Sequence, residues 1–157
     1  LKKFMYYISK SVPVKINFSD MARDLELSRD ELPKYLEYLE KAELVSVLRM
    51  KANGDAILRK MDKLYLQNSN MSYVLSGENP DTGNARETIF YCWTKQKYDT
   101  VESPVSDFEI DGKTFEVGGR NKGKKQISNL KDAYVVKDTI EYVFDNQVPL
   151  WMFGFLY

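Results

Sequence analysis

Residues 105–122 read VSDFEIDGKTFEVGGRNK, and this stretch sets the chemistry open to the chain. Asp111-Gly112 supplies the positive-φ turn of a β-hairpin, and Phe108, Ile110, Phe115 and Val117 supply its apolar faces. The first strand carries an acid at Asp107 and the second carries one at Glu116, across the turn. Two carboxylates paired in this way can hold a divalent cation such as Mg or Mn through oxygen ligands.

Upstream, residues 86–97 read as a helix with Ile89, Phe90 and Trp93 inward and Glu87 in its first turn. Helix, acid-bearing hairpin and second acid together resemble the restriction-endonuclease-like superfamily, whose motif is written PD…(D/E)xK. The resemblance implies that Asp107 and Glu116 bind metal and that Glu87 is the helix acid. It also implies a lysine two residues after Glu116, where this chain has Gly118; Lys113 or Lys122 could supply a relocated ammonium.

Working outward, Lys113, Arg120, Lys122, Lys124 and Lys125 form a local basic concentration around the single acid Glu116. Arg120, Lys122, Lys124 and Lys125 are the expected contacts to a nucleic acid or partner, since phosphate contacts need charge without base geometry. After this loop, Gln126, Ile127 and Leu130 suggest a short helix, residues 133–136 a strand and residues 139–144 another extended piece. In the closing run VPLWMFGFLY the aromatics Trp151, Phe153, Phe155 and Tyr157 are expected in the core.

Before the hairpin the chain reads differently. Phe4, Ile8 and Val12 give a first helix ending before Pro13, Ser19 can cap a short second one, and Ser28 with Glu31 forms a capping box for a third. LVSVLRM, a turn at residues 52–55 and KLYL then make a two-stranded ribbon, which completes a winged helix-turn-helix over residues 1–67. The third helix is net acidic, with Glu31, Glu37, Glu40 and Glu43 outweighing Lys34 and Lys41, so reading of a major groove by that helix is not expected. Residues 68–85 are a polar connector, and residues 86–157 form the small nuclease-like α/β domain. The fold class is therefore α+β.

Composition closes off other chemistries. The 157 residues contain no histidine and one cysteine, Cys92, which excludes Ser-His-Asp and Cys-His nucleophilic schemes and the usual zinc ligand sets. Lys plus Arg and Asp plus Glu are both 23, so net charge announces no partner. The lone cysteine fits a reducing compartment, and no run approaches the ~20 apolar residues of a membrane span. A cytoplasmic protein is expected.

The order of parts resembles the C-terminal region of a prokaryotic family of predicted AAA-type ATPases. The phrases DKLYLQNSNMSYVLSG, NPDTGNARETIFYCW, FEIDGKTFEVGGRNKGKKQI and PLWMFGFLY carry that resemblance. It implies that an ATP-binding P-loop domain precedes this chain as its partner and that the chain itself holds no nucleotide. The expected function is that of a regulatory or DNA- or protein-binding module with a degenerate nuclease-like domain. The alternatives are a metal-dependent nuclease with a displaced lysine, and a pure protein-interaction module.

Overall fold

The computed structural model describes residues 1–50, 63–77, 81–123 and 127–156, and within them the chain is mixed α+β with two sheets. Three helices come first: α1 (Lys2–Ser11), α2 (Phe18–Leu25) and α3 (Glu31–Lys41), with the short strand β1 (Val14–Lys15) between the first two. Asn17, not Ser19, caps α2, because its side-chain oxygen reaches the amides of Ser19 and Asp20. The capping box at Ser28 forms as expected: the Glu31 amide donates to Ser28 Oγ at 3.2 Å and the Ser28 amide to Glu31 Oε2 at 3.0 Å. Strands β2 (Val45–Leu48) and β3 (Lys63–Leu66) pair antiparallel, and β1 joins the far side of β3. The turn expected at residues 52–55 lies outside the described residues, as do Lys124, Lys125, Gln126 and Tyr157.

Within residues 68–85, read from sequence as a connector, α4 (Asn70–Ser76) forms and packs on α1. Helix α5 (Thr82–Thr94) begins earlier than its apolar pattern suggests, because Asp81 caps it by accepting from the Asn84 amide. Glu87 therefore sits in the second turn, beyond the first-turn amides that would have explained a carboxylate there.

The second sheet has the order β4-β5-β6-β7-β8, built from β4 (Val101–Glu102), β5 (Phe108–Ile110), β6 (Lys113–Gly118), β7 (Ala133–Lys137) and β8 (Gln147–Pro149). The β4-β5 and β5-β6 pairs are antiparallel, whereas β6-β7 and β7-β8 pair parallel. The hairpin turn is as read: Asp111 and Gly112 take φ of 50° and 76°, the left-handed pair that a two-residue turn requires. A 3-10 helix (Leu150–Phe155) closes the chain.

Three expectations fail in the segments that follow the hairpin. Residues 127–130 form turns and not a helix, and Leu130 stays exposed. Residues 139–144 are bends, because only Phe144 reaches a partner, Gln147, through an isolated bridge. Of the described aromatics in the closing run only Phe153 packs inward, while Trp151 and Phe155 are 50% and 65% exposed and meet edge to face at 6.0 Å.

One apolar core runs through both halves. On one face of the first sheet Val45, Val47, Leu64 and Leu66 are buried together with Ile8, Leu32 and Leu36. Tyr65, on the alternate face, meets Tyr91 of α5 at 5.0 Å and Phe108 of β5 at 6.1 Å. Phe90 continues the contact to Phe108, Phe115 and Phe153. Tyr91, and not Trp93, is the inward aromatic of that helical turn; Trp93 is 37% exposed. The backbone also bridges the sheets, since the Glu102 amide donates to the Arg49 carbonyl at 2.9 Å.

Candidate metal and phosphate site

The register of the hairpin places Phe108 opposite Phe115, so the next pair outward is Asp107 and Glu116. They are brought side by side where β6 passes the start of β5. Asp107 Oδ2 accepts the Val117 amide at 2.8 Å, which ties the first acid to the second strand. Glu116 is 1% exposed. Its Oε2 accepts from the Ser106 hydroxyl, and its Oε1 lies 2.5 Å from Lys122 Nζ.

Lys122 reaches Glu116 over Gly118. A methyl built on Gly118 would stand 2.5 Å from the Lys122 Cβ and 2.7 Å from its Cδ, with Cγ nearer still. Packed side chains do not approach this closely, so the lysine stem fills the volume a side chain at position 118 would take. The Lys122 ammonium, from four residues on, thus stands over Gly118 beside Glu116. Lys113, the other candidate, lies on the hairpin turn at the opposite end of β6.

Glu87 completes the group from α5. Tyr65 Oη of β3 donates to Glu87 Oε2 at 3.2 Å, so a residue of the first sheet holds the helix acid. Burial pushes the Glu87 carboxyl up to about 7, and the neighbouring Asp107 charge adds to this. Asp107 is also raised, first by burial and then by Glu116, against the lowering effect of the Val117 amide. Burial alone would lower the Lys122 amine, but its bond to Glu116 and the charges of Asp107, Glu116 and Glu87 leave it raised. The ammonium contacts Glu116 and is held charged by Asp107 and Glu87 as well. Sequence reasoning found the acids but could not find Tyr65, because nothing in KLYL distinguishes a buried tyrosine from one that serves a carboxylate 22 residues away.

Asp107 and Glu116 are the two carboxylates that could hold a divalent cation, but both Glu116 oxygens are engaged, by Ser106 and Lys122, and the residue is 1% exposed, so a cation there would have to displace one of these partners. Three acids do not converge as ligands: among the described residues no group of three or more His, Cys, Asp or Glu is placed to hold a metal ion. Glu87 therefore stands outside the ligand pair. Of the expected contact residues, Lys122 is turned inward to the acids, and the Arg120 carbonyl accepts from Lys137 Nζ at 3.4 Å, which fastens the loop after β6 to β7. Cys92 is inert here, its thiol pushed up to about 11 by burial while donating to the Leu66 carbonyl.

Glu87 gives the metal-free protein a defined pH response. Its proton is held more tightly in the folded chain than in the unfolded one, so between about pH 4.5 and 7 the folded state binds more protons and stability falls as pH rises. Tyr65, Asp107, Lys63 and Lys122 are the groups facing it. Thermal denaturation in EDTA should show a loss of roughly 2–3 kcal/mol across that window. Glu87→Gln should flatten the slope; an unchanged slope would assign the effect elsewhere.

No helix among the described residues is long and apolar enough to cross a membrane. No curated protein and no solved structure matches the chain. A family model described as Domain of unknown function (DUF8612) matches residues 1–82, which takes in the first sheet with Tyr65 and stops before Glu87. That match spans more than half of the 157 residues, and the chain belongs to this family.

Proposed function

We propose that the site hydrolyses phosphodiesters with Mg or Mn, as a nuclease-like centre whose lysine has moved from position 118 to position 122. The observation that carries this reading is the passage of Lys122 over Gly118 to Glu116. In this reading the second sheet with α5 is a restriction-endonuclease-like domain, and the three helices with the first sheet are a winged helix. The AAA-type ATPase resemblance of the sequence supports placing the chain beside a P-loop domain that would bind ATP, and the nuclease-like reading makes DNA the substrate to test.

Asp107 and Glu116 would hold the cation, which would supply Lewis-acid polarisation of a phosphate oxygen and a more acidic water. Lys122 keeps its proton at neutral pH and hydrogen-bonds the attacking water or the charge that develops on the phosphoryl oxygens. The water oxygen bonds to phosphorus as one P–O ester bond breaks, Glu87 accepts the proton released by water, and the departing oxygen takes a proton from solvent. A carboxyl titrating near neutrality suits that transfer.

The test is manganese calorimetry followed by cleavage of labelled single- and double-stranded DNA. Asp107→Asn and Glu116→Gln, both close in shape to the native side chains, should each weaken Mn binding by more than tenfold and abolish cleavage. Metal binding without any cleavage by the native chain would retire hydrolysis. It would leave the binding module favoured by a different observation, namely that all three acids already have protein partners.

A further inference from the structure

Gly119 follows Gly118, and it too is covered by a cation. A methyl built on Gly119 would lie 3.1 Å from Cζ, Nη1 and Nη2 of Arg86 alike, so the guanidinium lies flat over the glycine. Arg86 belongs to α5 and immediately precedes Glu87. Its Nε donates to Asp138 Oδ2 at 2.6 Å, just past the end of β7, which fixes the direction of the fork. Nη1 and Nη2 have no acceptor among the described residues, and the side chain is 22% exposed. The charge of the acid cluster is met by Lys122 and Lys63, whereas Arg86 is paired with Asp138 outside it.

We propose that Arg86 is the phosphate-orienting residue of this site, taking two non-bridging oxygens of a nucleic-acid phosphodiester through Nη1 and Nη2. A guanidinium aimed by one carboxylate, with both terminal amino groups open, matches the bidentate geometry of a phosphate. The consecutive glycines have distinct roles: the first admits Lys122 toward the acids, and the second admits Arg86 toward the substrate. The loop after them stays in place through the bond between Lys137 and the Arg120 carbonyl. The substrate named here rests on the hydrolytic reading above, but the guanidinium geometry does not.

The experiment measures binding of a short DNA duplex to the full chain by fluorescence anisotropy, with Ca in place of Mn so that no turnover intervenes, alongside competition by inorganic phosphate. Arg86→Lys keeps the charge and the reach to Asp138 but loses the fork. It should weaken duplex binding about tenfold with Mn affinity unchanged. Gly119→Ala, which shifts the guanidinium by a few tenths of an ångström, should give a smaller loss with an unchanged melting temperature. Unchanged duplex affinity in Arg86→Lys overturns the proposal, as does a loss confined to inorganic phosphate, which would mark a site for the free ion. Arg86-dependent duplex binding with no cleavage by the native chain would fail the hydrolytic reading and uphold this one. Full cleavage by Arg86→Lys at unchanged KM would do the reverse.

Discussion

Lys122→Met should abolish cleavage while leaving the metal pair intact, and its stability should come to depend on manganese. Met keeps the stem that fills the space over Gly118 but removes the ammonium from Glu116, a carboxylate that is 1% exposed. Removing one partner of a buried ion pair costs about 3–5 kcal/mol, and because Lys122 itself is 36% exposed the loss should sit near the low end. In EDTA the variant should melt well below the native chain. Added Mn should restore most of the difference, because the cation would take the place of the lost ammonium on Glu116. Cleavage should stay at least a hundredfold down, since charge stabilisation at the phosphoryl group is absent. Returning the lysine to position 118 should then recover activity in Gly118→Lys/Lys122→Gly. Glycine is needed at 122 because even an alanine Cβ there would stand 2.5 Å from the new Cβ at 118. A double variant that folds, binds Mn and remains dead would show that Lys122 has only a structural role.

Phe108→Ala should unfold both halves together. The ring is fully buried and touches Phe90 at 5.0 Å, Tyr91 at 6.0 Å and Tyr65 at 6.1 Å, so it joins the hairpin to α5 and to the first sheet. Truncating a buried phenylalanine costs about 3–5 kcal/mol through lost burial and the cavity left behind. Because the core is continuous across residues 4–150, chemical denaturation should remain a single transition, shifted to lower denaturant, with the far-ultraviolet and tryptophan signals moving in step. Two separated transitions, with the first half unaffected, would show that the halves fold independently.

Much of this fold could be read from local chemistry. The capping box at Ser28, the Asp111-Gly112 turn and the alternation of Phe108, Ile110, Phe115 and Val117 each announce their element within a few residues. The elements misread are those whose fate depends on distant partners. Leu130 has helical spacing from Ile127, but a helix there needs an apolar face to cover it, and Leu130 finds none. Trp151 and Phe155 look like core residues by type, yet the tight 3-10 path turns them outward and leaves only Phe153 on Phe90 and Phe115.

The candidate site divides in the same way. Asp107 and Glu116 are legible because a hairpin register is local, and one pair of aligned phenylalanines fixes them as neighbours. Lys122 was legible only as one of two candidates with Lys113, and Arg86 was not singled out, since the place of each is defined by a glycine it covers. Sequence shows a missing side chain at 118 and 119 without showing what fills the gap. Tyr65 was hidden for a further reason: it serves an acid on an element that enters only after α4 has carried the chain round.

The hydrogen bond from Tyr65 to Glu87 makes the fit between the two sheets a chemical variable. A small slide of the first sheet along α5 lengthens that bond and lets water toward the carboxyl, and both changes act on the affinity of Glu87 for its proton. The Glu102 amide, bonded to the Arg49 carbonyl, ties the backbones of the same two sheets a second time. A displacement that lengthened the Tyr65 bond would therefore change how firmly Glu87 holds its proton.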